Sequence, residues 1–283
     1  MIRTTLATSL ALLAALAGGA RLSAQETADG PKKATEWPKL EAGGADRVFA
    51  LATQFKKEDE KLRVEAAAEL AKIGVGAAPF LFQRVHDRPE NENAAIFGVL
   101  DGLLAAEYSD LMIKELKKPS VELRAYLVRR LCRFVDPSCK KALDGMRKDK
   151  QERIAFHAAL GCLALKDATA LDQVVAYSKT RWTDEVDLVA EVMPKARSAE
   201  FGNEVFAAIR KQKPADQMAT LRIARYVAID DHKPILRTYL DSPDHTVKKE
   251  AVNVCRVLAG EAPLEKLDVF QAIKMATEWK GKL

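Results

Sequence analysis

The side chains best suited to metal binding or acid–base catalysis are four histidines that lie far apart along the chain: His86, His157, His232 and His245. None belongs to an H-E-x-x-H motif or to a Cys/His spacing that would bind zinc. The sequence also lacks the G-x-S-x-G, Walker and G-x-G-x-x-G motifs. Two interpretations of His232 are open, since the acidic residues before it form either a functional cluster or helix caps. The sequence predicts no metal, no cofactor and no catalytic residue.

Four cysteines could react or pair: Cys132, Cys139, Cys162 and Cys255. Their even number allows a disulfide in an oxidising compartment. Cys132 or Cys139 could pair with Cys162, because they lie in adjacent predicted units whose equivalent helices pack about 10 Å apart. The alternative is that they are buried thiols that pack as small hydrophobic side chains.

Basic residues are concentrated between Lys114 and Arg153, where thirteen lysines and arginines stand against six acidic residues, whereas the whole chain has a net charge of only +5. We call this segment the basic belt. Its candidate binding residues are Arg129, Arg130, Arg133, Lys140, Lys141, Asp144 and Arg147. Helical spacing places the three arginines on the outer face of one helix, and Lys140, Asp144 and Arg147 on one stripe of the next. The belt is either a solvated charged face or a groove for an acidic partner.

The elements that must position these residues repeat about every 30 positions. Anchors stand at Arg63, Asn93, Arg124, Arg153 and Lys248, and the residues three, seven and ten positions after each are all apolar. This spacing predicts one apolar stripe along a helix in each unit. The fifteen stripe residues are Ala66, Leu70, Ile73, Ile96, Leu100, Leu103, Leu127, Leu131, Phe134, Phe156, Leu160, Leu163, Ala251, Cys255 and Leu258. Two units that begin near Thr183 and Pro214 keep the pattern less regularly.

Turn and cap residues agree with this period. In the first unit Asp59 can cap a helix, Gly74 can end it and Pro79 can open a second helix. Pro119 and Ser120, like Pro243 and Asp244, precede the first helices of later units. We predict an all-α, right-handed α-solenoid of about seven stacked helix-pair repeats over residues 45–283, with a capping helix from Asp46.

The pattern resembles the HEAT repeat family, particularly the short HEAT-like repeats of the phycobilisome lyase type. In that family the first helix carries a proline and an aspartate, then a hydrophobic and a basic residue, then small residues and a closing glycine. The last unit matches at Pro243, Asp244, Val247, Lys248, Ala251 and Gly260, and the first at Asp59, Leu62, Arg63, Ala66, Leu70 and Gly74. The resemblance implies a stack of helix pairs whose second helices line a concave surface and, for most members, a binding role.

The N-terminal residues indicate export. Residues 1–24 combine Arg3, an apolar run and small residues without an acid, which is typical of a signal peptide. A retained membrane anchor is the alternative interpretation of this run. Residues 25–44 lack an apolar period and are interpreted as a flexible linker, in which Trp37 either docks on the first repeat or is exposed. No other apolar run is long enough to form a transmembrane segment.

These features predict an exported, non-catalytic HEAT-repeat scaffold or adaptor in the periplasm or outside the cell. Its expected partner is a protein or an anionic envelope polymer bound on the concave surface. The alternative, which the resemblance alone suggests, is an enzyme or enzyme subunit of the bilin lyase-like class. A nucleic-acid partner ranks below both, because few aromatic residues interleave with the basic belt.

Overall fold

The structure, a computed structural model, describes residues 32–87 and 90–283, and it contains no strand within these two ranges. Its α-helices are α1 Gly44–Thr53, α2 Glu60–Ile73, α3 Ala78–Arg84, α4 Glu90–Leu103, α5 Ser109–Glu115, α6 Val121–Phe134, α7 Lys140–Met146, α8 Glu152–Ala164, α9 Leu171–Val192, α10 Ala199–Ile209, α11 Pro214–Val227, α12 Lys233–Leu240, α13 His245–Leu258 and α14 Val269–Lys282. None of these helices is both long and apolar enough to span a bilayer. The predicted signal peptide lies outside the described residues.

Within the described residues seven helix pairs follow α1, which confirms the predicted all-α solenoid. The first helices of the pairs are α2, α4, α6, α8, the second half of α9, α11 and α13. Neighbouring first helices pack side by side, as α6 does on α8 and α11 on α13. Between α4 and α6 the contact includes stacked rings of Phe97 and Tyr126, whose centroids lie 4.4 Å apart. Helix pairs stacked in this way are consistent with HEAT-like repeats.

Short 3₁₀ turns give the clearest period. They lead into second helices at Val75–Ala77, Ala106–Tyr108, Pro137–Cys139, Ala168–Ala170 and Asp230–His232. The first four begin 31 residues apart, and the fifth begins two such periods after the fourth. In these five units the turn is therefore more regular than the anchors of the first helices.

The predicted stripe residues form the core. Eleven of the fifteen are buried, and the other four, Ile73, Leu103, Phe134 and Leu258, are half-buried at the ends of their helices. Helix starts also agree, since Asp59 accepts hydrogen bonds from the amides of Lys61 and Leu62, and Asp244 caps α13 in the same way. Leu62, which extends the stripe of the first unit by one helical turn in the sequence, is exposed, so its predicted place on the buried stripe is wrong.

Helix α8 lies at the centre of the stack. Every residue from position 154 to position 164 is buried. The helix packs against α6, α7 and α9, and also against the 3₁₀ turn Met193–Ala196 after α9. A helix that is apolar on all sides must be enclosed, which explains why its hydrophobic residues are not confined to one stripe.

Helix α9 joins two units without a loop. It runs for 22 residues and changes direction at Arg181, whose backbone leaves the helical region at φ −121° and ψ 19°. The first half is the second helix of unit four, and the second half is the first helix of unit five. No glycine or proline occurs within it, so the chain lacks the residues that most strongly end a helix between the two halves.

Residues 33–40 lie along the edge of the first three units, and we call them the N-terminal strap. The Lys33 ammonium pairs with the carboxylate of Asp136 in unit three. Trp37 stacks on Tyr108 of unit two at 5.6 Å and meets Phe82 of unit one edge to face at 5.8 Å. Trp37 is therefore docked, and this part of the segment interpreted as a linker packs on the repeats.

Candidate binding groove

Two adjoining surface cavities lie beside the kink of α9, where this helix joins units four and five. The first has a volume of about 380 Å³ and is lined by Arg147, Lys148, Asp149, Glu152, Ala155, Phe156, Gln173, Ala176, Tyr177 and Thr180. The second has a volume of about 700 Å³ and is lined by Lys150, Gln151, Glu152, Arg153, Tyr177, Arg181, Asp184 and Glu185. Because Glu152 and Tyr177 line both cavities, we treat them as one site, the α7–α9 groove.

Aromatic rings form the floor of the groove. Phe156 on α8 is buried, and its ring stacks on that of Tyr177 on α9 with centroids 4.3 Å apart. Tyr177 is half-buried, so part of its ring faces the groove. Burial raises the pKa of the Tyr177 hydroxyl, which therefore stays protonated near neutral pH. The floor offers an apolar ring surface and one hydrogen-bonding group.

Arg147 forms the wall that joins units three and four. Its Nε donates to the Gln173 side-chain oxygen at 3.2 Å, and its Nη2 donates to the Thr169 carbonyl at 2.9 Å. The Gln173 amide donates back to the Arg147 carbonyl at 2.9 Å. Asp144 pairs with Arg147 at 3.0 Å. Arg147, one of the predicted binding residues, lines the groove, but its side chain is held by other residues and is not a free cation.

A buried polar cluster lies beneath the groove. His157 is buried on α8, and its Nε2 lies 2.8 Å from a carboxylate oxygen of Glu185, which also pairs with Arg153 at 3.3 Å. Burial lowers the pKa of His157 more than the neighbouring carboxylate raises it, so the ring is neutral near pH 7 and donates one hydrogen bond. The cluster links α8 to the second half of α9 and fixes the floor.

Two arginines of the basic belt, Arg130 and Arg133, bridge units and do not form an outer face. Arg130 donates to the carbonyls of Asp101 and Leu104 in unit two at 2.7 and 2.6 Å. Arg133 pairs with Glu191 of unit five at 3.0 Å. The predicted outer face for these arginines is therefore wrong, because a helix inside a stack contacts neighbours on both sides. Arg129 is half-buried on the same helix.

The two candidate lysines on α7 differ in whether they form an ion pair. Lys140 pairs with Asp167 of unit four at 3.2 Å. A hydrogen bond from Thr169 and the ammonium of Lys140 hold the pKa of Asp167 below its usual value. Lys141 is exposed and makes no ion pair with any described residue. The groove thus includes Arg147 from the predicted set but neither Lys140 nor Lys141.

Two lysines that were not among the predicted binding residues carry charges that no acid in the described residues pairs with. Lys148 and Lys150 lie on the groove rim, are exposed, and form no ion pair within the described residues. Asp149 between them pairs with Arg124 at 3.3 Å. Among the groove carboxylates Glu152 alone lacks an ion pair in the described part of the chain, so the uncompensated charge is positive.

The four cysteines lie away from the groove lining. All four are buried, unpaired thiols, so the disulfide that the sequence left open between Cys132 or Cys139 and Cys162 is not formed. Burial raises the pKa of Cys162 to about 11 and that of Cys255 to about 12, which keeps both thiols protonated. Within the described ranges no group of three His, Cys, Asp or Glu residues could hold a metal ion.

Comparison with known proteins identifies neither a family nor a function for this chain. No family model matches the chain, and no curated protein matches it. Among solved structures, the chain is similar to human deoxyhypusine hydroxylase in complex with glycerol, at 14% sequence identity and a TM-score of 0.35. The match covers 86% of this chain and 100% of the other. A likeness this weak carries no argument about function.

Proposed function

We propose that this protein is a non-catalytic scaffold of short HEAT-like repeats that binds an extended, acidic segment of a partner protein in the α7–α9 groove. The observation that carries the proposal is the groove itself, whose lining combines Tyr177, shared by both cavities, with exposed Lys148 in one and exposed Lys150 in the other. An aromatic surface supplies apolar contact area, and the lysines attract carboxylates from a distance.

The groove is better suited to binding than to chemistry. Its described lining contains no histidine, cysteine or serine, and Thr180 has no histidine beside it in that lining to remove a proton. His157 is buried beneath the floor and bonded to Glu185, so it does not reach the groove surface. Arg147 and Gln173 are held by reciprocal hydrogen bonds, which gives a partner a wall that is already ordered.

Peptide selection with charge reversal tests this function. Linear peptides selected on the whole protein from a random library should be rich in acidic residues. They should bind Lys148→Glu/Lys150→Glu at least about tenfold more weakly at low salt, because two attractive charges become repulsive. Raising the salt concentration should weaken binding to the unaltered protein through screening.

The matched control is Lys114→Glu/Lys117→Glu. These lysines belong to the same basic belt, are exposed and form no ion pair within the described residues, but they lie outside the groove lining. The control changes net charge by the same amount, so a partner in the groove should lose little affinity. Equal losses in both variants would show a general charge effect and would contradict a site at the groove.

We also propose that the protein is exported, on the support of the N-terminal sequence alone. Cleavage after Ala24 or Ala20 would follow the small residues that precede each site. Sequencing the N-terminus of the protein purified from its native cells should give Gln25 or Arg21 as the first residue. An intact Met1 in that material would contradict export by cleavage.

A further inference from the structure

The N-terminal strap follows the row of 3₁₀ turns in the first three units, and we call the surface beneath it the strap track. In unit one the strap passes the turn residue Gly76, and in unit two the Ala34 amide donates to the Glu107 carbonyl at 2.9 Å. In unit three Lys33 pairs with Asp136, which caps the turn. The strap forms neither helix nor strand, so it binds the repeats as a peptide would.

The strap track is shaped to receive the strap. A Cβ atom on Gly76 would lie 2.7 Å from the Pro38 carbonyl oxygen and 2.8 Å from a methyl carbon of Leu40. The backbone of Gly76 is not in the left-handed region, so its own turn does not require glycine. Asp136 accepts a hydrogen bond from the Ser138 amide at 2.9 Å, which holds its carboxylate in place. The glycine at position 76 therefore serves the contact with the strap.

Few bonds hold the strap on its track. Within the described residues a single backbone hydrogen bond joins the strap to the repeats, and its main anchors are the side chains of Lys33 and Trp37. The intervening Thr35 and Glu36 are exposed. Gly43 separates the strap from α1 at φ 77°, and a Cβ atom there would meet nothing within 4 Å. Because glycine tolerates both signs of φ, Gly43 offers a hinge between the strap and α1.

From these observations we infer that the strap of one copy binds the strap track of a second copy, so that two chains exchange their straps. A second copy carries the same segment, and the contacts above show that this segment fits the track. Exchange of an identical segment requires no new contact. The short connection to α1 holds each strap near its own track at an effective concentration on the order of millimolar. Exchange is therefore favoured at high protein concentration, or when the contact within one chain is weakened.

Complementary charge variants of the whole protein test the inference. In Lys33→Glu copies, and in Asp136→Lys copies, strap and track carry like charges both within one chain and between identical chains. In an equimolar mixture, each strap meets a track of opposite charge in the other chain. Analytical ultracentrifugation should show monomers for each variant alone and a dimer in the mixture, with association at least about tenfold stronger than for either variant alone. A mixture that associates no more strongly than the separate variants would overturn the inference.

Two controls locate the contact. Adding Trp37→Ala to both variants removes the aromatic anchor and leaves every charge in place, so the mixed dimer should weaken at least about tenfold. An unchanged dimer would place the contact elsewhere and contradict strap exchange. Lys39→Glu makes the same charge change as Lys33→Glu, on an exposed strap residue that forms no ion pair within the described residues. Its mixture with Asp136→Lys should stay monomeric, and a dimer as strong as that of the Lys33→Glu mixture would also contradict the inference.

A second measurement does not need Asp136→Lys, which also removes the cap of its turn. A fluorescent peptide with the sequence of residues 32–41 should bind Lys33→Ala/Trp37→Ala at least about tenfold more tightly than the unaltered protein, whose own strap competes for the track. Equal binding by the two proteins, or binding by neither, would overturn the inference. The strap track lies outside the lining of the α7–α9 groove, so these experiments and the peptide selection can fail separately.

Discussion

Replacing Glu250 by glutamine should destabilise the fold by about 3 to 5 kcal/mol, a large effect for a change that keeps the shape of the side chain. Glu250 is buried on α13. Its carboxylate pairs with the fully buried Arg225 and, at 3.2 Å, with Arg222, both on α11. Both guanidinium groups also lie over the ring of Trp182, at 5.3 Å from its centroid. Removing the carboxylate charge leaves the buried guanidinium of Arg225 with only the partly exposed Glu265 as a carboxylate partner.

Glu265→Gln is the matched control, because Glu265 is the second carboxylate partner of Arg225. Its side chain is 47% exposed, so water already solvates much of its charge and its loss should cost less than about 1 kcal/mol. Urea denaturation of both variants gives the comparison. If the two variants had similar free energies of unfolding, Glu250 would not be the carboxylate that chiefly stabilises the contact between units six and seven.

Replacing Gly202 by alanine should destabilise the protein by about 1 to 3 kcal/mol, because no space exists for a methyl group. A Cβ atom at this position would lie 2.2 Å from Cε1 of His232 and 2.6 Å from its Nε2. The ring cannot move freely, since Nδ1 of His232 accepts a hydrogen bond from the Ile229 amide at 3.0 Å. Gly202 is the point at which unit five meets the 3₁₀ turn of unit six.

The substitution Gly98→Ala should have the opposite effect on stability. Gly98 lies within α4, and a Cβ atom there would meet nothing within 4 Å. The change should stabilise the protein by about 0.5 to 1 kcal/mol through the lower flexibility of alanine in the unfolded chain. Thermal unfolding should move in opposite directions for the two glycine variants. A neutral Gly202→Ala would mean that the two units do not pack this closely.

Local sequence pattern is enough to predict most of the helix pairs, because the first helices of the regular units bury apolar residues at a fixed spacing. Stripe residues such as Leu131 and Leu160 are buried as expected. The pattern cannot show where two units merge. The chain from Leu171 to Val192 has no glycine or proline, yet it belongs to two units, and only the packing of Trp182 and Glu185 on their neighbours reveals this.

The candidate site could be predicted only in part. Charge counting draws attention to the basic belt, and Arg147 does line the groove. It cannot show that Arg130, Arg133 and Lys140 are paired with acids of other units, because those acids lie about 27 to 58 residues away along the chain. Tyr177 and Gln173 were missed since nothing in their local sequence distinguishes them from other residues on a helix surface.

Lysine acetylation footprinting tests the groove most directly. The whole protein would be acetylated briefly with and without a selected acidic peptide, and modification at each lysine would be measured by mass spectrometry. We predict that the peptide protects Lys148 and Lys150, which line the groove, and leaves Lys114 and Lys117 unchanged as internal controls. Unchanged modification of Lys148 and Lys150 in the presence of bound peptide would contradict recognition at the α7–α9 groove.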